Sequence, residues 1–323
     1  MKILVSSPTI FIGRALIKEL AHRGHKAYGL VTNDEDALKV KSDGGTAVYG
    51  DLLHGGDWCN KAQKADSVIS LNEPFEGIDV MAKKDFSKKE LSEIGRRHVE
   101  KVTNLMKAAA DGKTRNFILV NNYLVLGDRK GKWASDDDSL SPVAFSRPLE
   151  GYIDSIYKVS EETGIPLVHA MVGMMYGNGD WFTELTTDIK DGHMKHVGSG
   201  EYYWSVIHVD DAAAMLANAA EKIDKSVEFF VTDDRPVMVK EFMNHIAGNL
   251  GIEINGSMSI KEFMKEYGKV ITEAVISSTR APGLKAFELL GYYPKFRSYE
   301  TGIEATLKEM GLAVKKTNLS RAA

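Results

Sequence analysis

The sequence is short of cysteine: Cys59 stands alone among 323 residues. That excludes an intrachain disulfide and points to a reducing, cytoplasmic setting. Long hydrophobic runs are missing too. No apolar stretch approaches the ~20 residues needed to cross a bilayer, so no membrane partner is expected. Charge of one sign is not concentrated either, since 41 Lys and Arg stand against 45 Asp and Glu. The pairs Lys83-Lys84, Lys88-Lys89 and Arg96-Arg97 are interleaved with acids. They read as a solvated helix face, and no nucleic-acid partner is expected without a clustered basic surface. His, Cys and Asp nowhere fall at metal-site spacing, so no metal is expected. No G-x-S-x-G nucleophile elbow occurs. The first strand-like run begins at residue 2, which leaves no room before it for a signal or transit peptide.

What is present is a globular composition, 43% apolar and 27% charged, long enough to bury a large core. Short β-branched runs alternate with helical patterns through the first half. Residues 3–5, 27–32, 46–49, 67–71, 117–120 and 167–171 read as strands. Between them lie helical patterns near 15–21, from about 34, and from about 92 to 110. In the last of these, Val99, Val102, Leu105, Met106 and Ala109 recur at helical spacing. Gly24 and Gly164 suit helix C-terminal caps. This alternation predicts an α/β fold, a Rossmann-like doubly wound parallel sheet joined by right-handed crossovers. The second half is less regular. A helix from about 210 to 220, a strand at 228–231 and helices from 239 and 259 suggest a smaller C-terminal α+β lobe. The expected division is 1–171 with 205–225 as a nucleotide-binding core, 172–204 with 226–315 as a substrate lobe, and 316–323 as a tail.

Several local sequences, in order, carry a resemblance. They are Phe11-Ile12-Gly13-Arg14, Gly50-Asp51-Leu52, Ala65-Asp66-Ser67-Val68-Ile69, Val125-Leu126-Gly127-Asp128, Tyr176-Gly177-Asn178-Gly179 and His208-Val209-Asp210-Asp211. Together with Leu290-Gly291-Tyr292-Tyr293-Pro294 the chain resembles the extended short-chain dehydrogenase/reductase superfamily, the NAD-dependent epimerase/dehydratase group. The resemblance implies a bilobal molecule with a cofactor cleft between lobes, NAD or NADP as cofactor, a small-molecule ligand, and a homodimer paired through helices flanking the cleft.

Against that pattern the functional positions depart in several places. A phosphate loop spaced G-x-x-G-x-x-G would place glycines at 7, 10 and 13, and only Gly13 is there. Ser7 is small and offers a hydroxyl to a phosphate, but Ile10 is β-branched and Pro8 removes an amide donor. The start of the first helix, with Thr9, Ile10, Phe11, Ile12 and Gly13, keeps its partial positive charge. At the end of the second strand, Val31-Thr32-Asn33 shows neither the acid that binds ribose nor the arginine that takes a 2′-phosphate. Asp51, beside Leu52, matches the family's aspartate near adenine, and a turn-capping Asp is the other reading. The fourth strand ends Leu71-Asn72-Glu73-Pro74, where the family has small residues that admit the cofactor.

Family catalysis rests on a Ser or Thr, a Tyr and a Lys, with Tyr and Lys four residues apart on one helix face. No Tyr here has a Lys four residues later. Alignment puts Asn122 at the Ser/Thr position, Val143 or Ala144 at the Tyr position, and Arg147 or Pro148 at the Lys position. Replacement candidates are Asn122 itself, Tyr123 beside it over the expected cleft, and Arg147 as an anion binder. Tyr152 and Tyr157-Lys158 lie on the helix that would have carried the dyad. Met174, Met175 and Tyr176, with Met106 nearby, suggest a substrate cleft turned apolar. Three functions are expected from this pattern. One is a divergent NAD(P)-dependent epimerase, dehydratase or reductase with non-standard active-site residues, its cleft taking a nucleotide or a small carbonyl, sugar or nucleotide-sugar metabolite. The second is a non-catalytic nucleotide or metabolite sensor or scaffold. The third is a cofactor-independent, redox-neutral enzyme using the same cleft.

Overall fold

The computed structural model describes residues 1–71, 73–135 and 137–312. The expected tail at 316–323 and the end of the lobe segment lie outside them, as does Asn72. The strands in chain order are β1 (Lys2–Val5), β2 (Lys26–Val31), β3 (Thr46–Tyr49), β4 (Ser67–Ser70), β5 (Phe117–Asn122), β6 (Lys132–Trp133), β7 (Leu167–Val172), β8 (Met174–Tyr176), β9 (His196–Val197), β10 (Tyr203–Trp204), β11 (Val206–His208), β12 (Val227–Val231), β13 (Val237–Met238), β14 (Ser257–Met258) and β15 (Thr279–Arg280). The helices are α1 (Phe11–His22), α2 (Asp34–Ser42), α3 (Asp57–Gln63), α4 (Val80–Lys83), α5 (Lys88–Ala110), α6 (Asp154–Thr163), α7 (Asp180–Lys190), α8 (Val209–Lys222), α9 (Val239–Leu250), α10 (Ile260–Ile276), α11 (Leu284–Leu290) and α12 (Tyr299–Glu309).

A seven-stranded sheet in the order β12-β7-β5-β4-β1-β2-β3 forms the core, and every pairing in it is parallel. Side chains alternate across it as the strand period requires. Ile3 and Val5 pack with α1 and α8 on one face, while Leu4 packs with α3, α5 and α6 on the other. Both faces are covered, so the strands read as continuous apolar runs. The chain reverses direction of travel between β4 and β1, and the crevice above that switch point is where open α/β sheets hold ligands.

Two differences from the sequence reading bear on the site. Helix α5 begins at Lys88 rather than near 92, because Ser87 and Glu90 close a capping box: Ser87 Oγ accepts from Glu90 N and Glu90 Oε2 accepts from Ser87 N. The lysine pair that read as a surface charge run is the helix's first turn. The expected division at 226 does not hold as drawn. β12 completes the central sheet, with Phe230 opposite Met171, and α11 packs on α8 in the core beneath that sheet. The lobe is built instead from α7, α9, α10 and α12 and short strand pairs such as β8–β11 and β10–β13.

Between β4 and α5 the chain leaves the sheet as a strap across the crevice. It carries α4, and it reaches the lobe where a Cβ on Gly268 would lie 2.3 Å from the Lys84 carbonyl oxygen. Gly268 takes φ 79° and breaks α10 there, a conformation and a contact that only glycine allows.

Candidate functional site

A cleft of about 930 Å³ opens above the C-terminal ends of β4, β5 and β7 and runs into the lobe. Leu71, Asn121, Asn122 and Val172 line its sheet end, Phe11 and Ile12 enter from α1, and α7, α9 and α10 supply the far wall. This size lies within the range of small-molecule sites.

Of the expected cofactor residues, Phe11, Ile12 and Leu71 line this cleft. Ser7 takes the left-handed backbone conformation, φ 46°, where the family would use glycine. Its hydroxyl does not face an open space: Oγ donates to Glu76 Oε1 at 2.6 Å. Thr9 and Ile10 are half-buried, and Ile10 packs toward the core on the α1 face. Gly13 is fixed by contact, since a Cβ would lie 2.5 Å from the Ser7 carbonyl oxygen. Thr32 is exposed at the end of β2, away from the cleft. Asp51 caps its own turn, accepting from Leu53 N at 2.9 Å and bonding His54 Nδ1 at 2.9 Å. The Leu53 amide is the main reason its carboxyl is held below the usual range. Leu52 is buried and its carbonyl accepts from Asn104 Nδ2.

Two of the three proposed catalytic positions are structural. Tyr123 does not stand over the cleft: it is 0% exposed in the core, on the turn that follows β5, with burial pushing its phenol up. Arg147 is not available to an anion, because it forms a two-pronged ion pair with Glu273 of α10, Nε to Oε2 at 3.0 Å and Nη2 to Oε1 at 2.6 Å. Asn122 does line the cleft. Its Oδ1 accepts from Leu124 N, and its Nδ2 meets the weak acceptor Met174 Sδ at 3.9 Å. Of the expected substrate residues, Met174 and Met175 line the cleft. Tyr176 does not: it is 0% exposed, with its ring against Phe182, Phe242 and His208. Met106 is likewise buried in the core. Tyr152 bonds Ser92 across to α5.

The sequence reading missed the titratable group of the site. Glu73 meets solvent within the cleft yet is walled in by protein, and that desolvation, with Asp180 and Glu76 as like charges, pushes its carboxyl up to about 7. His98 lies buried beneath it against the Glu73 backbone, and burial holds its ring down to about 3, hence neutral. Asp180, at the start of α7, is also raised by desolvation.

A polar chain behind the cleft was missed as well. Asn121 Oδ1 meets His169 Nε2 at 2.9 Å, and His169 Nδ1 meets the Tyr157 hydroxyl at 2.5 Å. Burial lowers the ring to about 4. A neutral imidazole has one donor nitrogen, and an amide oxygen only accepts. The Tyr157 hydroxyl also meets the Glu228 carboxylate, so its one hydrogen is claimed by both that oxygen and Nδ1. A lone His inside the apolar run Leu167–Val172 was the available signal.

The pattern of the NAD dependent epimerase/dehydratase family matches residues 4–231. The chain belongs to that family. Among its relatives, a 4-hydroxy-2-methyl-3-oxo-4-farnesyl-3,4-dihydroquinoline-1-oxide ketoreductase of Stigmatella aurantiaca is 24% identical, over 98% of this chain and 93% of its own length. The epimerase family protein YfhF of Bacillus subtilis is 26% identical over 76% of this chain and 79% of its own. Human epimerase family protein SDR39U1, solved with NADPH, superposes with a TM-score of 0.76 at 16% identity, covering 95% of this chain and 99% of that one. UDP-glucose 4-epimerase of Thermotoga maritima, solved with UDP-glucose, gives 0.76 at 16%, covering 96% and 99%. At such identity these two structures establish the fold.

The family implies a nicotinamide dinucleotide, and the loop backbone fits its pyrophosphate. Ser7 keeps the glycine-like turn, Gly13 keeps the close helix contact, and α1 begins with no side-chain cap over its first amides. The one mismatched group is the Glu76 carboxylate, which stands at the Ser7 hydroxyl.

Proposed function

We propose that this family member is an NAD(P)-dependent reductase or epimerase-type enzyme with a non-standard acid–base group, acting on a small carbonyl metabolite. The observation that carries this reading is the position of Glu73: its carboxyl, near 7, lines the same cleft as the α1 N-terminal residues Phe11 and Ile12. A bound nicotinamide nucleotide supplies or accepts a hydride. The chain's own residues do the rest. The amides of Phe11, Ile12 and Gly13 offer the positive end of α1 to an anion. Asn122 offers an amide donor to a substrate oxygen, its present acceptor being a thioether. Glu73 exchanges a proton with that oxygen, in the pH range where a general acid–base works best. Phe11, Phe145 and Trp181 line the cleft and exclude water from it.

Calorimetric titration of the full chain with NADH and NADPH tests the reading. Binding at micromolar concentrations supports it; no binding below millimolar removes it. If a nucleotide binds, Glu73→Gln is expected to lower turnover of any carbonyl substrate at least a hundredfold while nucleotide affinity stays within a fewfold. The second reading, a non-catalytic sensor, draws its support from the Ser7–Glu76 bond that closes the loop. It would be favoured by nucleotide binding with turnover insensitive to Glu73→Gln.

A further inference from the structure

The wall of the cleft is selective in charge. Met174, Met175, Met194, Met243, Met258 and Phe263 make it apolar and adaptable. Its carboxylates are Glu73, Asp180, Glu184, Asp188 and Glu266. Lys195 and His193 lie on the wall near α7, and among the described residues no arginine lines it. Phosphate and diphosphate groups are held by arginine forks, lysines or rows of backbone donors. A diphosphate placed at the lobe end, away from the α1 amides, would instead meet these carboxylates, with the low-dielectric wall strengthening the repulsion.

The sheet end differs in kind. Asn121 is 5% exposed and its amide is tied to His169 Nε2. Asn122 adjoins it with Nδ2 on the weak acceptor Met174 Sδ. Successive residues of β5 point to opposite faces, so the two amides do not converge, and Asn122, whose Nδ2 has only a thioether as acceptor, is the donor at the sheet end of an otherwise apolar, acid-flanked channel. It matches a carbonyl-type oxygen on a ligand whose remaining surface is hydrocarbon or aromatic.

We propose that the cleft takes an uncharged, extended apolar or aromatic compound with one acceptor oxygen held at Asn122, and rejects phosphorylated and nucleotide-linked sugars. The inference rests on the reading above in taking this cleft as the substrate site, and its test does not need the cofactor.

The probes are phenylnaphthylamine, which is neutral, lacks an oxygen and fluoresces in apolar sites, its sulfonated relative anilinonaphthalene sulfonate, UDP-glucose, and prodan, a neutral naphthyl ketone. Asn122→Ala should lower prodan affinity at least fivefold while leaving phenylnaphthylamine within twofold, and an unchanged prodan affinity would overturn the role of Asn122. With the full chain at pH 8, phenylnaphthylamine is expected to bind at micromolar concentration and the sulfonate at least tenfold more weakly. UDP-glucose should give no calorimetric signal. Met194→Glu, at a half-buried wall position, should weaken phenylnaphthylamine at least fivefold. Glu184→Lys, at an exposed one, should narrow the gap between the two dyes. Equal binding of both dyes, no binding of phenylnaphthylamine, indifference to Met194→Glu while the circular dichroism spectrum is unchanged, or micromolar UDP-glucose binding would each overturn the proposal. Dye binding without NADH or NADPH binding would remove the oxidoreductase reading and leave this one standing. Nucleotide binding with UDP-glucose uptake would do the reverse.

Discussion

Ser7 and Glu76, 69 residues apart in the chain, are joined side chain to side chain at 2.6 Å. Glu76 also pairs with Lys101 at 3.4 Å, so the carboxylate is held between the phosphate-loop turn and α5. A carboxylate on this turn competes with any anion brought to the α1 amides. Glu76→Ala is therefore expected to tighten NADH binding by about tenfold, ~1.4 kcal/mol, as read by calorimetry at low salt. The lost Lys101 pair is partly exposed and costs at most ~1 kcal/mol of stability. Unchanged or weaker NADH binding in Glu76→Ala would refute the competition.

The nucleotides should be distinguished at α2. Its first turn carries Asp34, Glu35 and Asp36, and Asn33 caps it by accepting from Asp36 N. These carboxylates lie past the end of β2, not at it, and repel a 2′-phosphate by their charge. NADH is expected to bind at least about tenfold more tightly than NADPH, a gap of ~1.4 kcal/mol that shrinks as salt is raised. Asp34→Arg should close it.

Glu73 gives stability a pH dependence of definite sign. Its carboxyl lies near 7 in the folded chain against 4.5 as the ordinary value, so the folded state binds the proton more tightly. The unfolded chain releases it first, and stability falls as pH rises from about 4.5 to about 7. Glu73→Gln removes this term. The variant should match wild type at pH 4.5 and gain on it up to pH 7. The gain is on the order of 1 kcal/mol, less than the full ~1.36 kcal/mol per unit, because the carboxyl meets solvent in the cleft. Urea titrations at pH 5 and pH 8 measure it, and a variant that gains nothing between them contradicts the shift.

Arg147 should behave as a structural residue. Glu273, its partner, also accepts from Ala144 N at 3.1 Å, so one carboxylate ties the turn at 144–149 to α10. Arg147→Ala leaves that carboxylate partly buried with one partner fewer, at a cost of ~2 kcal/mol. Thermal unfolding is expected to show the loss while dye and nucleotide affinities stay within about twofold. A selective loss of nucleotide binding would restore the anion-binding role.

Tyr157→Phe leaves His169 Nδ1 buried without its partner and should cost ~1–3 kcal/mol. Because Nδ1 then lacks its partner, the ring should lose its fixed tautomer, which nitrogen-15 spectra of the imidazole report. An unchanged tautomer in Tyr157→Phe would place the control of the ring elsewhere.

The fold was legible because burial on both faces forces continuous apolar strands, as at Ile3–Val5, and helices stop where a glycine can turn left-handed, as at Gly164. The second half was harder to read. Helix α7 begins behind Gly179 with no side-chain cap, and β12 returns to the sheet after a long excursion that no local pattern announces. At the site, Asn122, Met174 and Met175 could be placed because strand register fixes which residues end at the crevice. Tyr123 and Arg147 were misjudged because adjacency in sequence does not say which way a residue turns after its strand. Glu73 was visible only as a bulky acid after β4, since its proton affinity comes first from desolvation by the folded walls of the cleft and then from Asp180, more than a hundred residues on. Glu76 and Lys84 sit in a polar stretch whose contacts, Ser7 and Gly268, are remote in the chain.

The strap between β4 and α5 is fastened at both ends, to Ser7 through Glu76 and to α10 where Lys84 backs onto Gly268. It therefore works as a tie-rod between sheet and lobe. An anion that displaces Glu76 from the Ser7 turn is expected to loosen that end, while the other end abuts α10, whose Phe263 and Tyr267 form the far wall of the cleft. The expected order of events is nucleotide first and apolar compound second, with Trp181 in the same wall as the built-in fluorophore that reports the first step. Steady-state patterns of ordered addition, and a loss of that order in Glu76→Ala, would be the kinetic trace of the tie.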